Sequence, residues 1–188
     1  PDENVLSLDD GVPYYATITA IAESPRRRGG LYAGTDDGTF RISMDDGKTF
    51  ESAETRFPAL PASSWFSGIE ASRHADGTLY VTTGDARQSR LAQDPASLAG
   101  KILRLNADGS VPADNPFPGS PVYTLGHRSS LGLAVHPVTG EVWQSENGPN
   151  GGDELNIIRA GKNYGWPLVS YGRTYPGPWQ AKLPTHES

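Results

Sequence analysis

The chain has 188 residues, no cysteine and a formal net charge of −6. Disulfides and thiolate metal sites are therefore excluded. The acid excess leaves one tight basic cluster, Arg26, Arg27 and Arg28 beside a Gly-Gly turn, which reads as a solvated loop, so no nucleic-acid partner is expected. No apolar run approaches the ~20 residues of a spanning helix and no cleavable segment stands at Pro1, so neither a membrane partner nor a leader is expected.

Twenty-two glycines and sixteen prolines spread along the chain cut it into short pieces, the pattern of an all-β protein with many turns. Residues 1–13 form a polar lead-in. Residues 15–23 predict a strand, 24–30 a turn, and 31–35 and 39–43 two more strands joined by Asp36-Asp37-Gly38, whose Asp-Gly pair tolerates the positive φ of a hairpin. The same phrase returns at 68–74, 75–77, 78–83 and, after an insertion, 101–105. It returns again at 132–136, 137–140, 141–145 and 154–158. Starts roughly 50 to 65 residues apart predict propeller blades of about four strands each. The chain is thus expected to be one partial β-propeller over 1–188, three to four four-stranded blades, ending in a tail at 176–188. An unclosed ring leaves strand edges and blade faces bare, so the expected partner is a second copy, in a homodimer or cyclic homo-oligomer that completes the propeller.

Two stretches carry chemistry or its appearance. Ser43-x-Asp45-x-Gly47-x-Thr49-Phe50 resembles the Asp-box of BNR-repeat propellers, the sialidase- and sortilin-like proteins, and the likeness extends over 13–74. It implies a structural turn in which Asp45 caps backbone amides while Phe50 packs beneath. The loop 146–154 holds Gly148, Pro149, Gly151 and Gly152 between two strand-like runs, a composition that excludes helix and turns carbonyls outward, where a hard cation could use them beside Asp153 and Glu154.

From residue 75 to 175 the runs DGTLYVTTGD, AQDPASLAGKILRLNADGSVPADNPF, GHRSSLGLAVHP and ENGPNGGDELNIIRAGKNYGWP resemble the soluble PQQ-dependent aldose sugar dehydrogenases, the glucose/sorbosone dehydrogenase family. With the Asp-box stretch before them, the chain has the look of a mosaic. The family resemblance implies a six-bladed propeller with the quinone over its axis. It also implies a calcium ion that polarises the ortho-quinone and a histidine base that takes the proton of the sugar C1 hydroxyl as hydride moves to the quinone. Matched by motif, Gly148 and Pro149 would give calcium their carbonyls, Asn147 and Asp153 would lie near PQQ, and Arg128 would set its guanidinium beside the quinone oxygens. Glu154 and Tyr164 match positions that help hold a further calcium in some members. The implied substrate is a small molecule, an aldose, and the implied location periplasmic or secreted.

Each position also has a structural reading. Arg128 could pair with a carboxylate at a blade end, the glycines could exist for a tight loop, Asp153 could cap that loop's amides, and His74, His127 and His136 read as structural. The chain also departs from the family pattern. It has His127-Arg128-Ser129-Ser130 where the family has His-Arg-Asn-Pro, and Trp65-Phe66-Ser67-Gly68 near the place of the histidine base. Three functions stay open: a quinone- and calcium-dependent sugar dehydrogenase or its remnant; a metal-dependent hydrolase of lactones or phosphotriesters using Asp85, Asp94, Asp153 and Glu154; and a non-catalytic propeller scaffold.

Overall fold

The structure, a computed structural model, describes residues 17–61, 64–74 and 77–173. The lead-in, the start of the first predicted strand and the tail at 176–188 lie outside the described residues. Three antiparallel sheets follow one another along the chain. The first is β1 (Ile18–Glu23), β2 (Leu31–Thr35), β3 (Phe40–Ser43) and β4 (Glu51–Ser52). The second is β5 (Phe66–Ala71), β6 (Thr78–Thr83), β7 (Lys101–Asn106) and β8 (Val122–Thr124). The third is β9 (Ser130–Val135), β10 (Val142–Glu146) and β11 (Glu154–Ile158). Each is a meander of neighbours, and β5 packs on both β1 and β9, so the first strands of the three sheets lie side by side. This is propeller architecture, with three blades around one flank of an axis.

The strands form where β-branched and aromatic residues meet a turn that suits them. Between β2 and β3, Gly38 takes φ 89° and Asp37 Oδ1 accepts the Thr39 amide at 3.1 Å. The Thr35 hydroxyl donates to the same carboxylate. In the turn after β3, Asp45 Oδ1 accepts the Thr49 amide at 2.9 Å, Asp45 Oδ2 accepts the Thr49 hydroxyl at 2.7 Å, and Ser43 Oγ accepts the Gly47 amide at 3.0 Å. Phe50 differs from its expectation. It leans on this turn but is 46% exposed, because the two-residue β4 ends the sheet before anything covers the ring.

Between the first two sheets Phe40, Phe57 and Phe66 meet edge to face, with centroids 5.2 to 5.3 Å apart. Between the second and third, Ile102, Val135, Val142 and Ile158 are buried together. Each such side chain contributes about 1.5–3 kcal/mol of burial. The outer faces differ. In β10, Val142, Gln144 and Glu146 are buried, so Trp143 points the other way by the strand's period of two, and its indole N–H has no hydrogen-bond partner. On the same face Leu155 is 68% exposed, and on the first sheet Ile21 is 67% exposed.

Candidate functional site

One backbone bond recurs in all three blades. The Asp36 amide donates to the Thr17 carbonyl (3.1 Å), the Gly84 amide to the Trp65 carbonyl (3.1 Å), and the Asn147 amide to the Ser129 carbonyl (3.0 Å). Each bond ties the entrance of a blade's first strand to the exit of its second. The three entrances therefore converge at one end of the propeller axis. There they enclose a cleft of about 500 Å³, lined among others by Thr17, Thr19, Trp65, Asp85, Arg87 and Arg128. Trp65 is 44% exposed and offers it an aromatic surface.

Arg128 is anchored in the cleft from two sides. Its Nη1 donates to the Asn147 carbonyl at 3.0 Å and the Gly148 carbonyl at 2.9 Å, and its guanidinium carbon stands 5.5 Å from the centre of the Trp166 ring. Such a cation–π contact contributes about 0.5–2 kcal/mol. Trp166 in turn donates its indole N–H to Asp85 Oδ2 at 2.9 Å, while Asp85 Oδ1 accepts the Arg87 amide at 3.0 Å. Ala86 (φ 53°) and Arg87 (φ 57°) are successive left-handed residues, neither of them glycine, a strain of about 1–2 kcal/mol each held at the cleft wall. Gly126 makes the approach to Arg128 feasible. At φ 78° it passes so close to the 163–165 segment that a Cβ would fall 2.2 Å from Asn163 Oδ1.

A buried polar network lies beneath. Glu146 Oε2 accepts the Arg128 amide at 2.9 Å, and Oε1 lies 3.4 Å from His127 Nδ1. His127 Nε2 meets Thr124 Oγ1 at 2.9 Å, and its ring stacks on Tyr164 at 4.9 Å. Burial pushes the Glu146 carboxyl up, but the His127 ring and the Arg128 amide outweigh burial and hold it below its ordinary value. Asn156 Nδ2 bridges Glu146 Oε1 and Glu154 Oε2 at 3.2 and 3.3 Å, across the Glu146–Glu154 strand pair.

In the 146–154 loop, the Gly148 amide donates to Asp153 Oδ1 at 3.0 Å and Pro149 is buried. Asn147 is exposed beside the Arg128 guanidinium. The Tyr164 hydroxyl donates to the Ile157 carbonyl at 2.7 Å and accepts the Arg159 amide at 2.9 Å. Asp94 Oδ1 caps the Ala96 amide at 2.9 Å. The Gly148 carbonyl that a divalent ion would use already accepts a guanidinium, and no three His, Asp or Glu side chains gather as a metal site among the described residues.

A planar anionic quinone fits better. The cleft offers two guanidinium-bearing side chains, Arg87 and Arg128, and the Trp65 ring. Among the described residues no histidine lines it. His127 is fully buried, His74 lies against Gly140, and His136 Nδ1 accepts the Thr139 amide in its own turn.

Sequence reading placed Arg128 and Asp85 here but passed over Thr17, Thr19, Asp36, Arg87 and Trp166. The repeat held the missing signal. Thr17 with Asp36, and Trp65 with Gly84 and Asp85, stand where Arg128–Ser129 and Asn147 stand in the third blade.

The profile of the Glucose / Sorbosone dehydrogenase family matches residues 24–188, a span that includes most of the stretch likened to an Asp-box blade. The aldose sugar dehydrogenase YliI of Escherichia coli is 38% identical over 152 residues, covering 77% of this chain and 41% of its own length. Quinoprotein glucose dehydrogenase B of Acinetobacter calcoaceticus is 40% identical over 154 residues, covering 70% of this chain and 31% of its own. The PQQ-bound aldose sugar dehydrogenase of Streptomyces coelicolor superposes with a TM-score of 0.72 at 32% identity, covering 89% of this chain and 52% of that one. The chain thus spans about two fifths or less of these curated relatives and about half of the solved structure. With a family profile over most of its length and three propeller blades converging on one cleft, the chain belongs to the glucose/sorbosone dehydrogenase family.

Proposed function

We propose that this chain forms the quinone-binding half of a PQQ-type aldose sugar dehydrogenase site, and that in this chain binding is retained while oxidation is weakened. The observation that carries the reading is the meeting of Arg128 and Trp65 at the axial cleft. A bound quinone supplies the two-electron acceptor for oxidising a sugar C1 hydroxyl. Arg128 supplies fixed positive charge for its oxygens, and Trp65 covers one face and keeps water from it. The proton of the C1 hydroxyl is the weak point. Asp85, the cleft carboxylate beside Arg128, has each oxygen engaged by an N–H donor, and Asp36 Oδ1 accepts the Thr17 amide at 2.9 Å. Among the described residues the cleft holds no histidine base, and the loss of such a base lowers turnover by about 10²–10⁴. The Asp-box is taken as a turn inside one propeller, without a second source.

The test adds pyrroloquinoline quinone to the purified chain and follows tryptophan quenching, then adds an aldose and a redox dye. Quenching with slow dye reduction supports the reading, and no quenching ends it. The scaffold reading is favoured by the committed Asp85 and predicts quenching with no reduction at all. The hydrolase reading loses ground, because Asp85, Asp94 and Asp153 each hold backbone amides and no three His, Asp or Glu side chains gather as a metal site among the described residues.

A further inference from the structure

We propose that Asp85 and Trp166 are a positioning pair for Arg128: the carboxylate fixes the indole, and the indole face fixes the guanidinium at the cleft. As a statement about cofactor capture it rests on the quinone reading above. As a statement about Arg128 it rests on geometry alone.

Three elements far apart in sequence build the arrangement. The 84–100 insertion between β6 and β7 supplies Asp85, the 161–166 segment supplies Trp166, and the turn before β9 supplies Arg128. Trp166 is fixed along its length. Its amide donates to the Gly126 carbonyl at 3.0 Å, its carbonyl accepts Gln93 Nε2 at 2.6 Å, and its indole N–H ends on Asp85 Oδ2 at 2.9 Å. Gln93 exchanges a second pair of hydrogen bonds with Asn163 at 2.7 and 3.1 Å, so insertion and segment are locked together. An indole N–H only donates, and a half-buried one left without an acceptor is costly, so the carboxylate sets the ring plane.

Asp85 itself cannot turn freely. Rotation that releases Trp166 also releases the Arg87 amide, which the left-handed pair Ala86 and Arg87 aims at it. The ring then lies under a guanidinium whose Nη1 is shared between two loop carbonyls. Carbonyls on one side and the ring on another leave one orientation for the planar fork. Without the ring, the two carbonyl bonds still allow the plane to swing about them.

The experiment uses the full chain and two readouts. The first is NMR of the guanidinium and indole N–H groups, assigned by their loss in Arg128→Lys and Trp166→Phe. Asp85→Ala is expected to speed exchange of the Trp166 indole proton and to average the Arg128 N–H signals. Trp166→Leu is expected to average the Arg128 signals as well, whereas Asp85→Asn, which keeps an acceptor oxygen, restores them. The second readout is quenching by pyrroloquinoline quinone. Asp85→Ala and Trp166→Leu should each weaken binding roughly fivefold to tenfold, the size of one cation–π contact. The double variant should lose no more than Trp166→Leu alone, and Asp85→Ala should add no loss on Arg128→Ala. Unchanged Arg128 signals in both variants, or losses that add, overturn the pairing. Should the wild-type chain not take up the quinone, the cofactor reading fails while the Arg128 signals still decide the positioning claim.

Discussion

The backbone amide of Arg128 ends on Glu146 Oε2 at 2.9 Å, so the residue that faces the cleft is anchored from below by a carboxylate that is only 5% exposed. That carboxylate also faces His127 and Asn156, and its removal would leave the buried imidazole Nδ1 and the Arg128 amide without their acceptor. Glu146→Ala is expected to cost about 3–5 kcal/mol in urea unfolding, the range for breaking a buried pair. Glu146→Gln keeps an acceptor for the Arg128 amide and should cost less.

The same group makes stability depend on pH. Its folded value lies below the ordinary 4.5, despite burial, because of His127 and the Arg128 amide. The stabilisation is therefore complete above pH 4.5 and is lost as pH falls through the folded value. Unfolding of wild type and Glu146→Gln from pH 6 downward should converge in acid, and parallel curves would contradict the assignment.

In the turn between β3 and β4, backbone and side-chain hydrogen bonds from Thr49 draw the Asp45 carboxyl from 3.8 to about 2. Its contribution is present above pH 3.8 and is lost as pH falls through about 2. Asp45→Ala should lower the thermal midpoint at neutral pH, and the gap to wild type should close between pH 4 and 2. Quinone uptake should be unchanged, because the turn does not line the cleft.

Lys101 is fully buried, and its Nζ donates to the carbonyls of Leu91, Ala92 and Ala99 at 2.7, 3.1 and 2.6 Å. It pins the insertion that carries Asp85. Lys101→Met strips the ammonium from all three carbonyls, of which Leu91 and Ala92 keep the Asp94 and Gly126 amides, and should cost about 1–3 kcal/mol. Burial pushes the ammonium from 10.5 down to about 8, so the unfolded chain holds the extra proton between those values. Wild-type stability relative to Lys101→Met should therefore rise as pH climbs from 8 to 10.5, a slope that denaturant titrations at several pH values would reveal.

How far the sequence could be read depends on the range of the interaction. The long strands of each blade were legible because period-two alternation and Asp-Gly or Gly-bearing turns are local signals. β4 has two residues and β8 three, too few for alternation to register. Lys101 looked like an ordinary strand residue in KILRL, since nothing local marks its position as enclosed. At the site, Arg128 and the glycine loop were legible as motifs. That the guanidinium takes the Gly148 carbonyl itself was not, because twenty residues and a strand turn separate them. The Asp85–Trp166 bond spans 81 residues and is a product of the fold alone.

The central claim is that Arg128 and Trp65 make the axial cleft a seat for a planar anionic quinone. The most direct measurement is calorimetric titration of pyrroloquinoline quinone into the wild-type chain and into Arg128→Ala, both checked for folding by circular dichroism. The account predicts one saturable site in the wild type, weakened at least tenfold in the variant by loss of a charge-assisted contact of about 1.5–3 kcal/mol. No binding to folded wild type, or equal affinity in the two proteins, would contradict it.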